Sequence, residues 1–299
     1  MKISEISDLL RNSNYIPTKA ITYAVSGCIN DNFPLLIEGD PGVGKTSLAK
    51  AVASMLNLPI YRVQFYEGLS ADKILFDYDY QKQLLTIESI KSALEGELKG
   101  KSIDEAINIA KDINFYGKDF LIKRPILKSI DGTERCVLLL DEVDKSSEEI
   151  EYTLLEMLDE FSITIPQFGT IKCPPELKPI VFLTSNNYRE LSDALKRRCN
   201  YLFIKRKTKE EIMEILRLKA NVSESIARGV SNCMEKIQKL GLKQEPSIAE
   251  AIDWAMYLQN NFDETNKDDI DYSICVLAKN KEDTEIIKKS GILKDIISL

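Results

Sequence analysis

The sequence contains no histidine. Histidine general bases, histidine metal ligands and Ser–His or Cys–His nucleophile systems are therefore excluded, and any chemistry must run on carboxylates, lysine, arginine and a bound metal. Cysteine is sparse: Cys28, Cys136, Cys173, Cys199, Cys233 and Cys275 stand far apart with no Cys-x-x-Cys pair, which argues against a zinc site or a small disulfide framework and for a reducing compartment. No apolar run approaches the roughly 20 residues that span a bilayer. The opening Met1-Lys-Ile-Ser-Glu-Ile-Ser-Asp8 is charged instead of carrying a secretory apolar segment, so a cytoplasmic protein with no membrane insertion is expected. A basic surplus is also missing. The formal charge of −7 repels a nucleic-acid backbone except where basic residues cluster locally, so nucleic acid is not the default partner. What is present is 44% hydrophobic residues over 299 positions, enough for one large domain or two ordinary ones.

Five short apolar runs read as buried strands: Leu35 to Glu38, Ile60 to Phe65, Cys136 to Leu140, Ile180 to Thr184 and Tyr201 to Ile204. Helical stripes lie between several of them, Leu48, Val52 and Leu56 in one case and Ile150, Leu154, Leu158 and Phe161 in another, and both read as core packing. Strands alternating with helices predict an α/β fold with a parallel sheet. Past about residue 206 the strand-like runs largely stop and stripes such as Ile226, Val230, Cys233, Ile237 and Leu240 take over, which predicts a core over 1–206 and a helical domain over 207–299. Ser247 and Glu250 have the spacing of a capping box, placing a helix start near Ile248. The polar stretch from about Ile87 to Lys123 reads as an insertion on the first domain.

Directly after the first strand run, Gly39-Asp40-Pro41-Gly42-Val43-Gly44-Lys45-Thr46-Ser47 carries Gly-x4-Gly-Lys-Thr and leads into a helix. Strand, glycine loop and helix are the context this motif needs to cradle phosphates. The glycines let backbone N–H groups converge on a β-phosphate, the helix N-terminus adds positive potential, Lys45 neutralises β/γ charge, and Thr46 ligates Mg²⁺.

The run Cys136-Val-Leu-Leu-Leu-Asp141-Glu142-Val-Asp144 is an apolar strand delivering two adjacent carboxylates at its carboxyl end, where parallel sheets place their ligands. Asp141 suits the Mg²⁺ shell, and Glu142 suits a water to be activated for in-line attack; a plain strand end on the surface is the rival account. The next strand ends Phe182-Leu-Thr-Ser-Asn186-Asn187, so Asn186 is a candidate for positioning the attacking water, or a turn former. Lys196-Arg197-Arg198 before the last strand offers guanidinium groups for transition-state charge, or a solvated basic turn continuing into Lys205-Arg-Lys207. Asn266-Lys-Asp-Asp269 and Asn280-Lys-Glu-Asp283 match the guanine-reading Asn-Lys-x-Asp pattern. No glycine of the 13 has Asp three positions before it, as a γ-phosphate switch requires, and both matches are assigned to a polar surface.

With these elements the sequence resembles an AAA+ ATPase of the MoxR type over nearly its whole length. The resemblance rests on Gly39 to Thr46 (Walker A), Leu138-Leu-Leu-Asp-Glu142 (Walker B), Thr184-Ser-Asn186 (sensor 1), Leu195-Lys-Arg197-Arg198 (arginine finger) and Pro246-Ser-Ile-Ala-Glu-Ala-Ile-Asp-Trp254, similar to the family's lid helix. It implies an α/β core with a C-terminal all-α lid, ATP and Mg²⁺ as cofactors, and a ring, usually a hexamer. Each site would be completed by a neighbour's Arg197, with Arg198 in reserve. Phe161 to Cys173 is similar to the family's β-hairpin before sensor 1, whose tip Phe168 would face a client protein or pack within the subunit. One departure is plain: Pro246 to Leu258 has no basic side chain where many lids carry a phosphate-sensing arginine, and Lys243 is the nearby substitute.

The implied function is Mg²⁺-dependent ATP hydrolysis that remodels or matures a protein complex, with a partner bearing a von Willebrand factor A domain and a client the sequence does not name. Two alternatives remain. One is a nucleic-acid-handling motor such as a clamp loader, helicase or restriction-associated subunit, and the other a nucleotide-gated scaffold that barely hydrolyses ATP.

Overall fold

The computed structural model describes residues 1–70, 72–97, 115–166, 168–261, 269–293 and 296. Two helices, α1 (Ile3–Asn12) and α2 (Lys19–Asn30), precede the first strand, β1 (Leu35–Glu38), which the glycine loop joins to α3 (Lys45–Leu56). β2 (Ile60–Gln64) is followed by α4 (Asp72–Leu75), β3 (Phe76–Tyr78), α5 (Tyr80–Glu97), β4 (Leu121–Lys123) and α6 (Pro125–Ile130). Next come β5 (Val137–Asp141), α7 (Glu148–Glu160), the hairpin β6 (Ser162–Ile165) and β7 (Gly169–Lys172), β8 (Ile180–Ser185), α8 (Asp193–Lys196) and β9 (Asn200–Phe203). The remainder is helical: α9 (Lys209–Ala220), α10 (Glu224–Ile237), α11 (Ile248–Asn261), α12 (Asp269–Leu277) and α13 (Lys281–Ser290).

The five apolar runs are the five strands of one parallel sheet in the order β2-β5-β8-β1-β9. Of its three inner strands, β5 and β8 are buried at every position and β1 at all but Glu38, as expected of strands covered on both faces. Alternate residues feed two cores. Leu36, Leu138, Leu140, Val181 and Leu183 meet α6, α7 and α8, while Leu35, Ile37, Val137, Leu139, Ile180 and Phe182 meet α1, α2 and α3. This period-2 division comes from the pleat, which turns successive side chains to opposite faces. Register aligns Gln64 with Asp141 and Glu38 with Ser185, so four strands end along one edge of the sheet. That edge carries the site.

Strand limits differ from the sequence reading by a residue or so: β5 extends to Asp141, β8 to Ser185, and β9 starts at Asn200 and stops at Phe203. Helix α3 starts at Lys45, because Gly44 in the left-handed region turns the chain straight into it. Leu56 is only half-buried, unlike Leu48 and Val52. Phe161 caps α7 with φ +53° and buries its ring, and Leu240 lies past the end of α10. Within the stretch read as an insertion, residues 98–114 lie outside the described residues, while β3 and β4 form a short antiparallel pair at its flanks. The tip residue Phe168 of the β6–β7 hairpin packs against the first core.

Helices α9 to α13 close around a third cluster centred on the buried Trp254, whose indole N–H donates to Ser273 Oγ at 2.8 Å. The capping box forms: the Ser247 amide donates to Glu250 Oε2 at 2.7 Å and the Glu250 amide to Ser247 Oγ at 3.3 Å. Asn280 and Asp283, read as part of a polar surface, are instead a cap on α13. Asn280 Oδ1 accepts the Asp283 amide at 2.8 Å, and the fully buried Asp283 accepts the amides of Lys243 and Gln244 at 2.9 and 3.0 Å. The other Asn-Lys-x-Asp match, Asn266 to Asp269, falls largely outside the described residues. Among the described residues no helix is long and apolar enough to cross a membrane, and all six cysteines are unpaired.

Candidate active site

The loop between β1 and α3 is held by close backbone approaches that only glycine permits. A Cβ on Gly39 would lie 2.4 Å from the Ile204 carbonyl oxygen, and one on Gly42 would lie 2.3 Å from Ser247 Cβ, at the start of α11. The glycine loop is thus wedged between the sheet edge and the C-terminal helices. Lys45, 6% exposed, folds back over it: Nζ donates to the carbonyls of Gly39 at 2.5 Å and Asp40 at 2.9 Å, and to Asn186 Oδ1 at 2.7 Å. Burial pushes the Lys45 pKa below its ordinary value, and Asp144, Asp40, Asp141 and Glu142 pull it back up.

At the end of β5 the two carboxylates are held differently. Asp141, buried, accepts on Oδ1 from Thr46 Oγ1 at 3.0 Å and Thr184 Oγ1 at 2.5 Å, and on Oδ2 from Arg62 Nε at 2.9 Å and Nη2 at 2.6 Å. Glu142 has φ +60°, uncommon for a non-glycine residue, which breaks the strand and turns its side chain out of the β5 pleat. Its amide donates to Thr184 Oγ1 at 2.9 Å. Its carboxylate accepts from Gln64 Nε2 at 2.8 Å, Lys145 Nζ at 2.7 Å and Asn186 Nδ2 at 3.3 Å. Asn186 therefore bridges Lys45 and Glu142. It is fixed in turn by the fully buried Asp144, whose Oδ2 accepts the amides of Asn186 at 2.9 Å and Tyr188 at 2.8 Å.

These groups line a cavity of about 340 Å³, within the range of small-molecule sites. Pro41, Gly42, Val43, Gly44, Lys45, Thr46 and Ser47 form one wall and Asp141, Glu142, Thr184 and Asn186 the floor. The other wall is Tyr15 and Ile16 with Ile215, Ile248 and Ile252 of the C-terminal helices. Gly39 and Asp40 stand behind the cavity: the first supplies a carbonyl to Lys45, and the second pairs with Arg206 at 2.6 Å. Thr46 and Asp141 bring two hard oxygen donors together beside the glycine loop, a set that fits Mg²⁺ completed by nucleotide and water.

The two arginines are not in this cavity. Arg197 and Arg198 line a separate hollow with Asp31, Phe33 and Asn200. Arg198 donates to Asp159 Oδ2 at 2.7 Å and the Ala194 carbonyl at 2.9 Å, whereas Arg197 is exposed and has no side-chain partner among the described residues. Lys243 is not in the cavity either; it lines a second hollow behind the loop, and the cavity's own lysines on this side are Lys207 and Lys219. Sequence reading also missed Arg62 and Gln64, which look like the solvent face of an edge strand, and placed Thr184 within the sensor 1 motif without its contacts to Asp141 and Glu142. The one available signal was the alternation of polar residues on β2, leading to the same edge as Asp141 and Glu142.

The family model described as AAA domain (dynein-related subfamily) matches residues 34–199, more than half of the chain. Lon protease of Fusobacterium nucleatum subsp. nucleatum is 26% identical over 207 residues, 68% of this chain and 22% of that protein, so the chain spans about a fifth of its length. Among solved structures, Thermotoga maritima RuvB, described as a Holliday junction branch migration motor, is 17% identical with a TM-score of 0.43, covering 94% of this chain and 68% of that one. An alanine-to-serine mutant of the same protein is 16% identical with a TM-score of 0.46, covering 93% and 69%. The family match spans β1 to α8 and includes the glycine loop, both carboxylates and Asn186. The chain belongs to the AAA domain family, dynein-related subfamily, a family of ATPases that use ATP and Mg²⁺.

Proposed function

We propose that the protein is a Mg²⁺-dependent, ring-forming ATPase of the MoxR type, with residues 1–206 as its ATPase core and 207–299 as its lid. The observation that carries the reading is the continuous line from Lys45 through Asn186 to Glu142, at 2.7 and 3.3 Å, along the cavity floor. The loop amides and Lys45 hold the β- and γ-phosphates, exchanging the ammonium's present carbonyl partners for phosphate oxygens. Thr46 and Asp141 would hold Mg²⁺, which would supply positive charge beside those oxygens. Asn186 orients a water and Glu142 accepts its proton as it attacks in line, releasing ADP and phosphate.

Arg197 reaches a phosphate only from a neighbouring copy, because in its own chain it is exposed, unpartnered among the described residues and outside the cavity. This supports a ring, hexameric as the resemblance implies, with Arg198 committed to Asp159 and so the weaker candidate. The MoxR-like sequence from Pro246 to Trp254 supports remodelling or maturation of a protein complex with a von Willebrand factor A domain partner. Against the nucleic-acid alternative stands the fate of the basic turn: Arg206 pairs with Asp40 and Glu245, and Lys207 is buried. Mixing Arg197→Ala and Lys45→Ala subunits tests the ring. Arg197→Ala alone should bind ATP normally but hydrolyse it slowly, and mixing should restore activity; no restoration overturns completion of the site in trans.

A further inference from the structure

The phosphate loop, Asp141 and Glu142 account for nucleotide and water, yet the shortest contacts to Asp141 Oδ2 come from a residue with no part in that scheme. Arg62, on β2, places Nε at 2.9 Å and Nη2 at 2.6 Å from that oxygen. Parallel register sets Gln64 beside Asp141 and Arg62 one pleat back on the same face, so β2 sends one side chain to each acidic residue. Arg62 Nη2 also donates to Gln64 Oε1, which ties the two together. With Thr46 and Thr184 on Oδ1, both oxygens of the Asp141 carboxylate are fully engaged.

The pair is lopsided. The Asp141 side chain is 4% exposed and the Arg62 side chain 48%. A buried carboxylate without a cation is costly, so Asp141 needs a compensating charge whenever metal is absent. Arg62 supplies it through a fork that fixes the carboxylate plane, which a lysine's point charge does not do.

We infer that Arg62 is a positioning residue for the metal, which orients Asp141 and makes the site reject a divalent cation that arrives without nucleotide. This rests on the proposed Mg²⁺–ATP site. A bare cation entering beside Thr46 finds Asp141, its one acidic ligand, already neutralised by Arg62, and Lys45 standing against the neighbouring carboxylates of Asp40, Glu142 and Asp144. A triphosphate reverses that balance by bringing several negative charges, so cation and nucleotide bind together. Mg²⁺ alone then leaves the loop unaltered, and free cation does not compete with the nucleotide complex.

Manganese, observed through the paramagnetic signal of the free ion, is the probe. Nucleotide-free wild type should bind Mn²⁺ weakly. Arg62→Met and Arg62→Gln should each bind it more tightly by on the order of tenfold, the effect of deleting one half-exposed charge at contact distance. Arg62→Lys should stay near wild type in affinity, because the charge remains. Thermal melts identify any variant that fails to fold, and the remaining neutral variant then carries the comparison. Unchanged Mn²⁺ affinity in a folded neutral variant overturns the inference, as does Arg62→Lys behaving like Arg62→Met. Failure of wild type to bind ATP with Mg²⁺ would instead overturn the proposed function, so the two failures are distinguishable.

Discussion

Replacing Gly42 by alanine probes how the C-terminal helices close on the phosphate loop. Gly42 has φ +78°, where an L side chain costs about 1–2 kcal/mol. Its new methyl would lie 2.3 Å from Ser247 Cβ. Carbon atoms pack at about 3.5–4.0 Å, so the start of α11 must recede by roughly 1 Å or more. That movement breaks the bond from the Ile248 amide to the Gly42 carbonyl, 3.5 Å long, a further loss of about 0.5–1 kcal/mol. Together they cost about 1.5–3 kcal/mol of stability. Receding Ile248 and Ile252 also uncover bound nucleotide; about 50 Å² of lost apolar contact at ~25 cal/mol per Å² gives roughly a tenfold weaker affinity. Gly68→Ala is the control, since Gly68 has φ +86° but nothing within 4 Å of a Cβ. It should show only the backbone cost and keep full ATP affinity. Denaturant titrations and binding of a fluorescent ATP analogue measure both quantities. Equal stability losses in the two variants, with undiminished affinity in Gly42→Ala, would show that the start of α11 does not press on Gly42.

Two further outcomes follow from buried groups. Burial acts to raise the Asp283 pKa, but hydrogen bonds from Asn280 and the Lys243 and Gln244 amides outweigh it and hold the carboxyl below its ordinary value. A depressed pKa means the stabilisation is complete above the ordinary carboxylate range, near pH 4, and drains away as pH falls through the folded value. Asp283→Ala should therefore destabilise the protein by about 2 kcal/mol at neutral pH through orphaned amides, with the difference from wild type shrinking below about pH 4. A pH-independent difference in denaturation midpoints would contradict this. Burial pushes Cys28, Cys136 and Cys199 up to about 12, Cys173 and Cys233 are buried, and Cys275 is exposed. A thiol reagent at about pH 8 should therefore find one fast cysteine in the native protein, abolished by Cys275→Ser, with the partly buried Cys199 slow because its raised pKa keeps it a thiol and the other four reacting only after unfolding. Two fast thiols would contradict the burial described.

The sheet was legible because its strands are short apolar runs bounded by polar turns, and β5 and β8, buried on both faces, leave no alternation to misread. That the loop, Asp141, Glu142 and Asn186 would share one cavity was legible because each stands where a strand ends at the same edge of the sheet. Arg62 and Gln64 were not, since alternate polar residues on an edge strand look the same whether they face water or a carboxylate. The contact of Gly42 with Ser247 joins segments far apart in sequence, and no local pattern encodes it. Asp283 was misread for a related reason: Asn, Lys and Asp suggest solvent, yet the carboxylate is buried and satisfied by amides of a distant turn. Lys243 shows the limit of proximity in sequence, for it precedes α11 closely but lines the hollow behind the loop.

Lys45 is proposed to grip the triphosphate and Glu142 to activate water, and a paired measurement of ATP binding and single-turnover phosphate release separates the two roles. With Mg²⁺ present, Glu142→Gln should bind ATP as tightly as wild type and release phosphate slower by roughly two to four orders of magnitude, the contribution of a positioned general base. Lys45→Ala should lose binding itself. If purified wild-type protein shows no affinity for ATP, or if Glu142→Gln releases phosphate as fast as wild type, Lys45 and Glu142 do not have these roles.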